Sequence, residues 1–288
     1  MASAPFVLLR DGARLLVGHV AVGNGVAGLV QRRGDDPSLS YTATVLGPVD
    51  EAVHGGNASG LMCAALGVGG HALVRGLLAA AHGVDEAVEW VRSREPGRSG
   101  RLLVADALQA VVLTIGGEVE EVSAEEADGD GLAALILRLR GVEPPPQEGA
   151  TPAAGLAAVL TPDEPPRLHI ALGPPCCAVF IRYWPGMEVT PEVSASPEGS
   201  TLARLAAAVA QTTATDPDLR SAARDRLDAA EADALREGEA AERMAALMDE
   251  HTDDRGAAVR RLVAQSYAAE RAREALEELA VPAPSPRL

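Results

Sequence analysis

The stretch FVLLRDGARLLVG, residues 6–18, places two apolar runs on either side of Asp11 and Gly12. An Asp-Gly pair favours a tight hairpin turn because glycine readily adopts the positive φ that such a turn requires. The stretch therefore predicts two antiparallel strands joined by a turn.

Working outward from this hairpin, short apolar runs bounded by glycine or polar residues predict a series of further strands. These strands are expected at residues 27–31, 41–46, 60–66, 101–105, 110–115, 118–123, 156–160, 168–172 and 178–183, with 101–123 forming an antiparallel meander. Residues 71–82 are predicted to form a helix because Leu73, Leu77 and Leu78 recur at helical spacing, and further helices are predicted over residues 84–94 and 131–140. The proline-rich residues 143–152 predict an exposed loop, since proline lacks the backbone donor of a helix or central strand.

From residue 201 onward the composition shifts to Ala, Glu, Asp, Arg and Leu, with apolar stripes typical of helices. We therefore divide the chain into a sheet-rich core over residues 1–200, a helical region over 201–281 packed on that core, and a frayed tail over 282–288. The fold class predicted is α+β.

The charge balance limits the possible partners. The 288 residues include 25 basic and 41 acidic ones, a formal net charge of −16, and every basic residue is arginine. Such a charge repels phosphate backbones and anionic lipid headgroups, so we expect neither a nucleic acid nor a membrane as partner. Absence of lysine excludes Schiff-base chemistry and a P-loop lysine, and the composition resembles that of a GC-rich, bacterial-like coding sequence.

The location is predicted to be cytoplasmic. No basic segment followed by an apolar run opens the chain, and no apolar run approaches the roughly 20 residues that span a bilayer. The three cysteines, Cys63, Cys176 and Cys177, fit neither a zinc-ligand spacing nor a disulfide framework, which favours a reducing compartment. Aromatic residues make up only 2% of the chain, so small side chains must pack closely to fill the core.

In order and spacing, four segments resemble the N-terminal-nucleophile (Ntn) hydrolases, specifically their secernin and dipeptidase branch. They are FVLLRDGARLLVG (6–18), GGNASGLMCA (55–64), LLVADALQAVVLTIGGEVEEVS (102–123) and LGPPCCAVFIRYWP (172–185). The resemblance implies a four-layer αββα sandwich with a helical C-terminal region. It also implies hydrolysis of linear amides by a nucleophile that carries the free α-amino group of the mature chain, usually a cysteine.

Three residues match the catalytic positions that this resemblance implies. Ser3 stands at the nucleophile position, although removal of Met1 would expose Ala2, so that Ser3 would need a further cut. Asn57 matches the asparagine that stabilises the oxyanion, but it also suits a Gly-Gly-Asn turn. His19 could act as a base beside Ser3 or could be a hydrogen-bonded structural histidine.

Other candidate residues have simpler explanations. Residues 19–23 stand where the family has an Asn-Ser-Asp-Arg run and contain neither Asp nor Arg. His54 and His71 lack further ligands at metal spacing, so we expect no metal and no cofactor. Cys176 and Cys177 are expected on opposite faces of a strand, with one thiol inside and one at the surface. The glycines of residues 67–70 precede a helix, but no phosphate site is expected without lysine.

The leading hypothesis is a diverged, non-catalytic protein with the Ntn-hydrolase fold that acts as a binding or interaction module, so enzymatic activity stays an open question. The alternative is an amide hydrolase or acyltransferase that uses Ser3 after processing, with Asn57 and His19 in the site. The third hypothesis is a helix-mediated assembly protein unrelated to hydrolases. Expected partners are a small amide or peptide ligand, a second copy of the chain, or an active hydrolase paralogue that docks on the alanine-rich helices.

Overall fold

The computed structural model describes residues 6–23, 25–46, 49–94, 100–116, 118–141, 151–196, 199–249 and 254–280. Their strands form two sheets. The six-stranded sheet has the spatial order β10 (Glu125–Glu126), β1 (Phe6–Asp11), β2 (Arg14–Gly23), β11 (Thr151–Leu160), β12 (Arg167–Leu172) and β13 (Ile181–Tyr183). The seven-stranded sheet has the order β3 (Ala27–Arg32), β4 (Tyr41–Leu46), β5 (Val49–Asn57), β6 (Met62–Ala65), β7 (Arg101–Ala105), β8 (Ala110–Thr114) and β9 (Val119–Glu121).

The opening hairpin and the meander are both confirmed. Strands β1 and β2 pair antiparallel, with Asp11 opposite Arg14, and the turn between them has Gly12 at a φ of 58°. Strands β7, β8 and β9 pair antiparallel in sequence order. The turn between β7 and β8 is held by Asp106, whose carboxylate accepts hydrogen bonds from the amides of Leu108 (2.9 Å) and Gln109 (3.1 Å).

The helices predicted over 84–94 and 131–140 are confirmed, and the final third is helical. The helices are α1 (His71–Leu78), α2 (Val84–Arg94), α3 (Gly131–Arg140), α4 (Thr201–Thr213), α5 (Pro217–Asp249) and α6 (Asp254–Ala280). Side-chain caps fix two of their starts: Asp130 accepts a hydrogen bond from the Leu132 amide, and Ser200 accepts one from the Ala203 amide.

The structure corrects the predicted bounds of α1 and reveals two missed strands, β5 and β10. Helix α1 ends at Leu78, four residues before the predicted end, because the carbonyls of Leu78 and Ala81 accept hydrogen bonds from the carboxamide of Asn57. Strand β5 was not predicted, since Gly55 and Gly56 interrupt its apolar pattern. Strand β6 is shorter than the predicted 60–66.

The segment with two adjacent cysteines also differs from the prediction. Residues Pro175–Cys177 form a short 3-10 helix, and the strand predicted over 178–183 is confined to β13. The two thiols therefore diverge because successive residues of a 3-10 helix are about a third of a turn apart, and not because of strand alternation. The expected outcome still holds, because Cys176 is exposed and Cys177 is buried.

Two apolar clusters position the sheets. The first cluster lies between the sheets and includes Leu156 of the six-stranded sheet and Leu103 of the seven-stranded sheet. The two sheets approach closely here, because a Cβ placed on Gly56 of β5 would lie 2.9 Å from a methyl group of Leu168 of β12. The second joins Leu77 of α1 to Val104 on the opposite face of the seven-stranded sheet. Helix α3 covers the outer face of the six-stranded sheet.

The core is filled largely by small side chains, as the low aromatic content predicts. Helices α5 and α6 bury an alanine-rich interface whose members are Ala223, Ala230, Ala234, Ala241, Ala245, Ala257, Ala264, Ala268, Ala269, Ala272 and Ala275. Gly18 lets α3 approach β2, because a Cβ there would meet a methyl group of Leu135 at 2.7 Å. Small residues thus replace aromatic bulk by close contact.

The proline-rich loop predicted over 143–152 ends earlier than expected, because Thr151 and Pro152 already belong to β11 and pair with Gly23 and Val22 of β2. Pro152 is tolerated there because it lies near the start of the strand, beside a register irregularity. The rest of that loop and the C-terminal tail lie outside the described residues. Within the described part of the chain, no helix is both long and apolar enough to cross a bilayer.

Candidate functional site

The two predicted site residues that the structure describes, His19 and Asn57, are not gathered at one place. Ser3 lies outside the described residues. His19 of β2 contacts His54 of β5 across the gap between the sheets. Asn57 follows His54 by three positions on β5, and because side chains alternate along a strand, Asn57 points to the opposite face, toward α1.

The His19–His54 pair is enclosed between the sheets. The two Nδ1 atoms lie 2.9 Å apart, and the rings meet edge to face with centroids 5.2 Å apart. Both residues are fully buried, and their Nε2 atoms make no hydrogen bond to a described residue. Burial lowers the pKa of His19 to about 3 and that of His54 well below its ordinary value. Both imidazoles are therefore neutral, and one donates its Nδ1 proton to the other.

The carboxamide of Asn57 uses its full hydrogen-bonding capacity. Its Nδ2 donates to the carbonyls of Leu78 (2.9 Å) and Ala81 (2.8 Å), while its Oδ1 accepts from the Ser59 hydroxyl (2.7 Å) and the Leu61 amide (3.1 Å). A side-chain amide offers two donors and two lone pairs, so none remains for a ligand. The side chain thus ties β5 and its turn to the end of α1.

The remaining histidine of this region lies near a single carboxylate. His71, at the start of α1, lies 3.9 Å from the carboxylate of Glu51, and burial lowers its pKa. Across the described ranges, no group of three or more histidine, cysteine or carboxylate side chains is arranged to hold an ion.

A second candidate site lies on the outer face of the six-stranded sheet, beneath α3 and α5. It is a cavity of about 450 Å³ whose polar lining includes Arg140, Arg167, His169, Arg182, Glu231 and Glu239. We call it the Arg-His cleft, after Arg140, Arg167, His169 and Arg182. Apolar side chains of α3, α5 and β11 complete its wall, among them Ile136, Val159 and Leu235.

Strand pairing assembles the polar part of this cleft. His169 of β12 lies opposite Arg182 of β13, and Arg167 stands two positions before His169 and so shares its face. On the other side, His169 pairs with Ala157 of β11. Arg140 enters from the last turn of α3 and forms an ion pair of 2.6 Å with Glu231 of α5.

Several buried nitrogen atoms in the cleft make no hydrogen bond to a described residue, among them Nε of Arg140. Nδ1 of His169 and Nε of Arg182 make no hydrogen bond to any described residue, although the side chains are 4% and 7% exposed. The other end of Arg182 contacts Glu242 at 3.1 Å and stacks on Trp184 at 5.0 Å. Glu242 also contacts Arg261 at 3.3 Å, so one carboxylate serves two guanidinium groups.

Burial and the neighbouring charges shift the pKa values of two side chains in the cleft. Burial, followed by the charges of Arg182 and Arg167, lowers the pKa of His169 to about 3. Burial also lowers the pKa of Arg182 to about 10, against the attraction of Glu242. At neutral pH the cleft therefore holds a neutral imidazole beside guanidinium groups, and the carboxylates of Asp11, Asp130, Glu231 and Glu239 also line it. The guanidinium groups nearest His169, those of Arg167 and Arg182, suit the carboxylate of a ligand.

The sequence carries a signal for this cleft in the spacing of its polar residues. In RLHIAL (Arg167–Leu172), arginine and histidine alternate with apolar residues, and in IRYW a lone arginine interrupts an apolar run. Polar residues at strand positions within apolar runs are either exposed or buried for a purpose. Only the pairing of β12 with β13 shows that these three share one buried face.

Comparisons with known proteins place limits on what can be transferred. No protein-family profile and no curated protein matches this sequence. A solved N-acylethanolamine-hydrolyzing acid amidase ortholog of Caenorhabditis elegans aligns at 9% identity and a TM-score of 0.41, covering 55% of this chain and 94% of that one. A variant of the conjugated bile acid hydrolase from Clostridium perfringens aligns at 15% identity and a TM-score of 0.31, covering 48% of this chain and 58% of that one. Both have the Ntn-hydrolase fold. At such identities and TM-scores, neither likeness assigns an activity or a residue role here.

Proposed function

We propose that this chain is a non-catalytic module with a diverged, four-layer Ntn-hydrolase-like scaffold that binds a small amide carrying a carboxylate in the Arg-His cleft. The division into a core over residues 1–200 and a helical region over 201–281 is part of the same proposal. The observation that carries the binding role is the pair of buried, unpartnered nitrogens on His169 and Arg182 at a cavity of about 450 Å³.

The non-catalytic half rests on how the candidate catalytic residues are used. An oxyanion donor must present a free N–H to the reacting oxygen, and both N–H groups of Asn57 already bind main-chain carbonyls. A general base must reach the nucleophile, yet His19 is fully buried against His54. These two side chains stabilise the fold on opposite faces of β5.

The ligand class follows from the lining of the cleft. A carboxylate matches the guanidinium groups of Arg167 and Arg182, and its insertion would satisfy donors that are otherwise buried without partners. Apolar side chains such as Ile136, Val159 and Leu235 suit a short apolar group next to that carboxylate. N-acyl amino acids and short peptides combine a carboxylate, an amide and an apolar group in this volume.

Calorimetric titration with an N-acyl leucine and with its uncharged carboxamide tests the binding role. We expect binding of the acid alone, and we expect Arg167→Gln to weaken it by about tenfold, as for one lost charge-assisted hydrogen bond. Arg101→Gln is the matched control, because Arg101 is also a partly exposed strand arginine with one carboxylate nearby, Glu120 at 3.6 Å. Equal binding of acid and carboxamide, or none of either, would contradict the proposal.

The competing function is an amide hydrolase or acyltransferase that uses Ser3 after processing. Intact mass separates the two, since the enzyme requires a mature chain that begins at Ser3. We expect no such processing and no turnover of acyl amides. Turnover that is lost in Ser3→Ala would establish the enzyme and overturn the non-catalytic half of the proposal without affecting the cleft.

Interaction with a second copy or with an active paralogue remains part of the proposed module role. Helix α6 leaves an exposed apolar stripe at Val259, Val263 and Tyr267, and Leu247 of α5 is also exposed. Light scattering measures the molar mass of the wild-type chain and of Val263→Glu. If the stripe forms an oligomer interface, the wild-type chain is an oligomer and Val263→Glu is a monomer. A monomer in both would restrict the module to ligand binding.

A further inference from the structure

The two adjacent cysteines form a close thiol pair at the edge of a second cavity. Cys176 and Cys177 lie in the 3-10 helix Pro175–Cys177, and their Sγ atoms are 3.6 Å apart. Cys176 is exposed, whereas Cys177 is buried against the core. An accessible thiol therefore stands in contact with a protected one.

Basic side chains surround the exposed thiol. The cavity, of about 510 Å³, is lined by Cys176, Arg140, Arg220, Arg224, Asp225 and Asp228, with an apolar contribution from Leu137 and Pro217. Arg224 donates to the carbonyl of Cys176 at 3.0 Å and to Asp228 at 2.9 Å. Asp228 also accepts from Arg140 at 3.0 Å, so this carboxylate is already engaged by two guanidinium groups.

This surrounding favours the thiolate at Cys176. A hydrogen bond from the Cys177 thiol, together with the charges of Arg224 and Arg220, lowers the pKa of Cys176 against the opposing effect of burial. The same hydrogen bond and burial raise the pKa of Cys177. The exposed sulfur is thus the nucleophile and the buried sulfur keeps its proton.

We propose that Cys176 and Cys177 form a thiol–disulfide exchange site for small anionic disulfides, with Cys176 as the attacking thiolate and Cys177 as the resolving thiol. The Cys176 thiolate attacks one sulfur of the disulfide, a protein–ligand S–S bond forms, and the second ligand sulfur leaves as a thiolate with the bonding electron pair. The Cys177 thiol then loses its proton to solvent and attacks Sγ of Cys176, which releases the other ligand thiolate. Two protein thiols are oxidised to one disulfide while the small disulfide is reduced to two thiols.

The resulting bond between neighbours is expected to be readily reversed. Adjacent Cα atoms lie about 3.8 Å apart across a trans peptide bond, closer than the roughly 4.4 Å lower bound of ordinary disulfides. A disulfide so constrained is more easily reduced than a relaxed one. The site would therefore cycle with small thiols and would not act as a permanent crosslink.

The test uses the folded chain and dithiobis(nitrobenzoate), a dianionic aromatic disulfide whose released thiolate is coloured. We expect the wild type to release two thiolates per chain and to end two hydrogens lighter by mass. Cys177→Ser should release one and retain a mixed disulfide, and Cys176→Ser should react at least about tenfold more slowly because its remaining partner thiol is buried and protonated. Cys63 serves as an internal control, since it is fully buried with a raised pKa.

The variant Arg220→Gln tests the role of the basic lining separately. Arg220 is exposed, and removing its guanidinium group leaves the Cys176–Arg224 contact intact. This variant should react several-fold more slowly with the dianionic probe and at an unchanged rate with neutral dithiodipyridine. Circular dichroism confirms that each variant is folded. Single-thiolate release by the wild type, or an unchanged rate in Cys176→Ser, would overturn the proposal. Equal slowing with both probes would remove the preference for anionic disulfides.

Discussion

Two buried histidines of the six-stranded sheet have the same burial and opposite surroundings. His19 pairs with Leu156 of β11, and His169 pairs with the next residue, Ala157, so the two imidazoles point to opposite faces of that sheet. Burial lowers the pKa of each to about 3. His19 contacts a second imidazole in a closed interior, whereas His169 lies beside guanidinium groups and a cavity.

The difference teaches that a perturbed pKa and deep burial do not by themselves distinguish a structural histidine from a binding one. What separates them is the space beside the unpartnered nitrogen. Each histidine has one ring nitrogen without a hydrogen bond to a described residue, Nε2 in His19 and Nδ1 in His169. His19 lies between the two sheets against His54, whereas His169 lines a cavity of about 450 Å³. An unsatisfied donor or acceptor at a cavity leaves a ligand something to gain.

The largest expected effect is acid destabilisation by the buried histidines His19, His54 and His169. The folded pKa values of His19 and His169 are about 3, and that of His54 lies well below its ordinary value. Below pH 6.5 the unfolded chain therefore binds protons that the folded chain excludes. Stability present above pH 6.5 is therefore lost as the pH falls. The expected slope is about 1.4 kcal/mol per pH unit for each histidine, or roughly 4 kcal/mol for the three.

Urea unfolding at several pH values measures this slope, and single variants show how much each histidine contributes to it. His169→Gln should lower the slope by the contribution of one histidine, about 1.4 kcal/mol per pH unit. His82→Gln is the control, because His82 is exposed and its pKa is raised by Glu86 and Asp36. The charged form of His82 contributes below pH 6.5 and is lost as the pH rises through its folded pKa, so its removal should not reduce the acid slope. An unchanged slope in His169→Gln would mean that His169 is not a buried neutral group.

The next largest effect is expected from Asn57→Ala. Truncation leaves the buried carbonyls of Leu78 and Ala81 and the amide of Leu61 without partners, which should lower the free energy of unfolding by about 2–4 kcal/mol. Ser59→Ala removes one hydroxyl from the same network and should cost about 1 kcal/mol. A stable Asn57→Ala chain that lost an amide-hydrolysing activity would instead assign this residue to catalysis.

Leucine substitutions at His54 and at His169 compare a histidine that is hydrogen-bonded within the fold with one that lies at the cavity. His54→Leu leaves Nδ1 of His19 buried without its partner and should cost about 1–3 kcal/mol. His169→Leu removes a nitrogen that has no partner, so the expected loss is below about 1 kcal/mol. Chemical denaturation at pH 8 measures both free of protonation effects. Similar costs at the two positions would show that His169 is held by the fold as firmly as His54.

The sequence was sufficient wherever structure is locally encoded. The Asp-Gly turn predicts the opening hairpin, and the helical spacing of apolar residues predicts α2 and α3. Strand β5 was missed because its pairing with β4 and β6 overrides the low strand propensity of Gly55 and Gly56. The Arg-His cleft was missed because it depends on the register of β12 with β13 and on the approach of α5, which join residues distant in the chain.

The smallest expected effect is a shift in the titration of His169 itself. Arg167 lowers the pKa of His169 through its positive charge, although less than burial and Arg182 do. Arg167→Gln should therefore raise that pKa while leaving it well below 6.5, since burial still disfavours the imidazolium. Imidazole resonances followed by NMR from pH 7 downward report the change, and the resonances of His19, on the opposite face of the sheet, provide the reference. A shift of His19 equal to that of His169 would indicate a change in the whole sheet, whereas a shift confined to His169 would show that the guanidinium of Arg167 acts within the cleft.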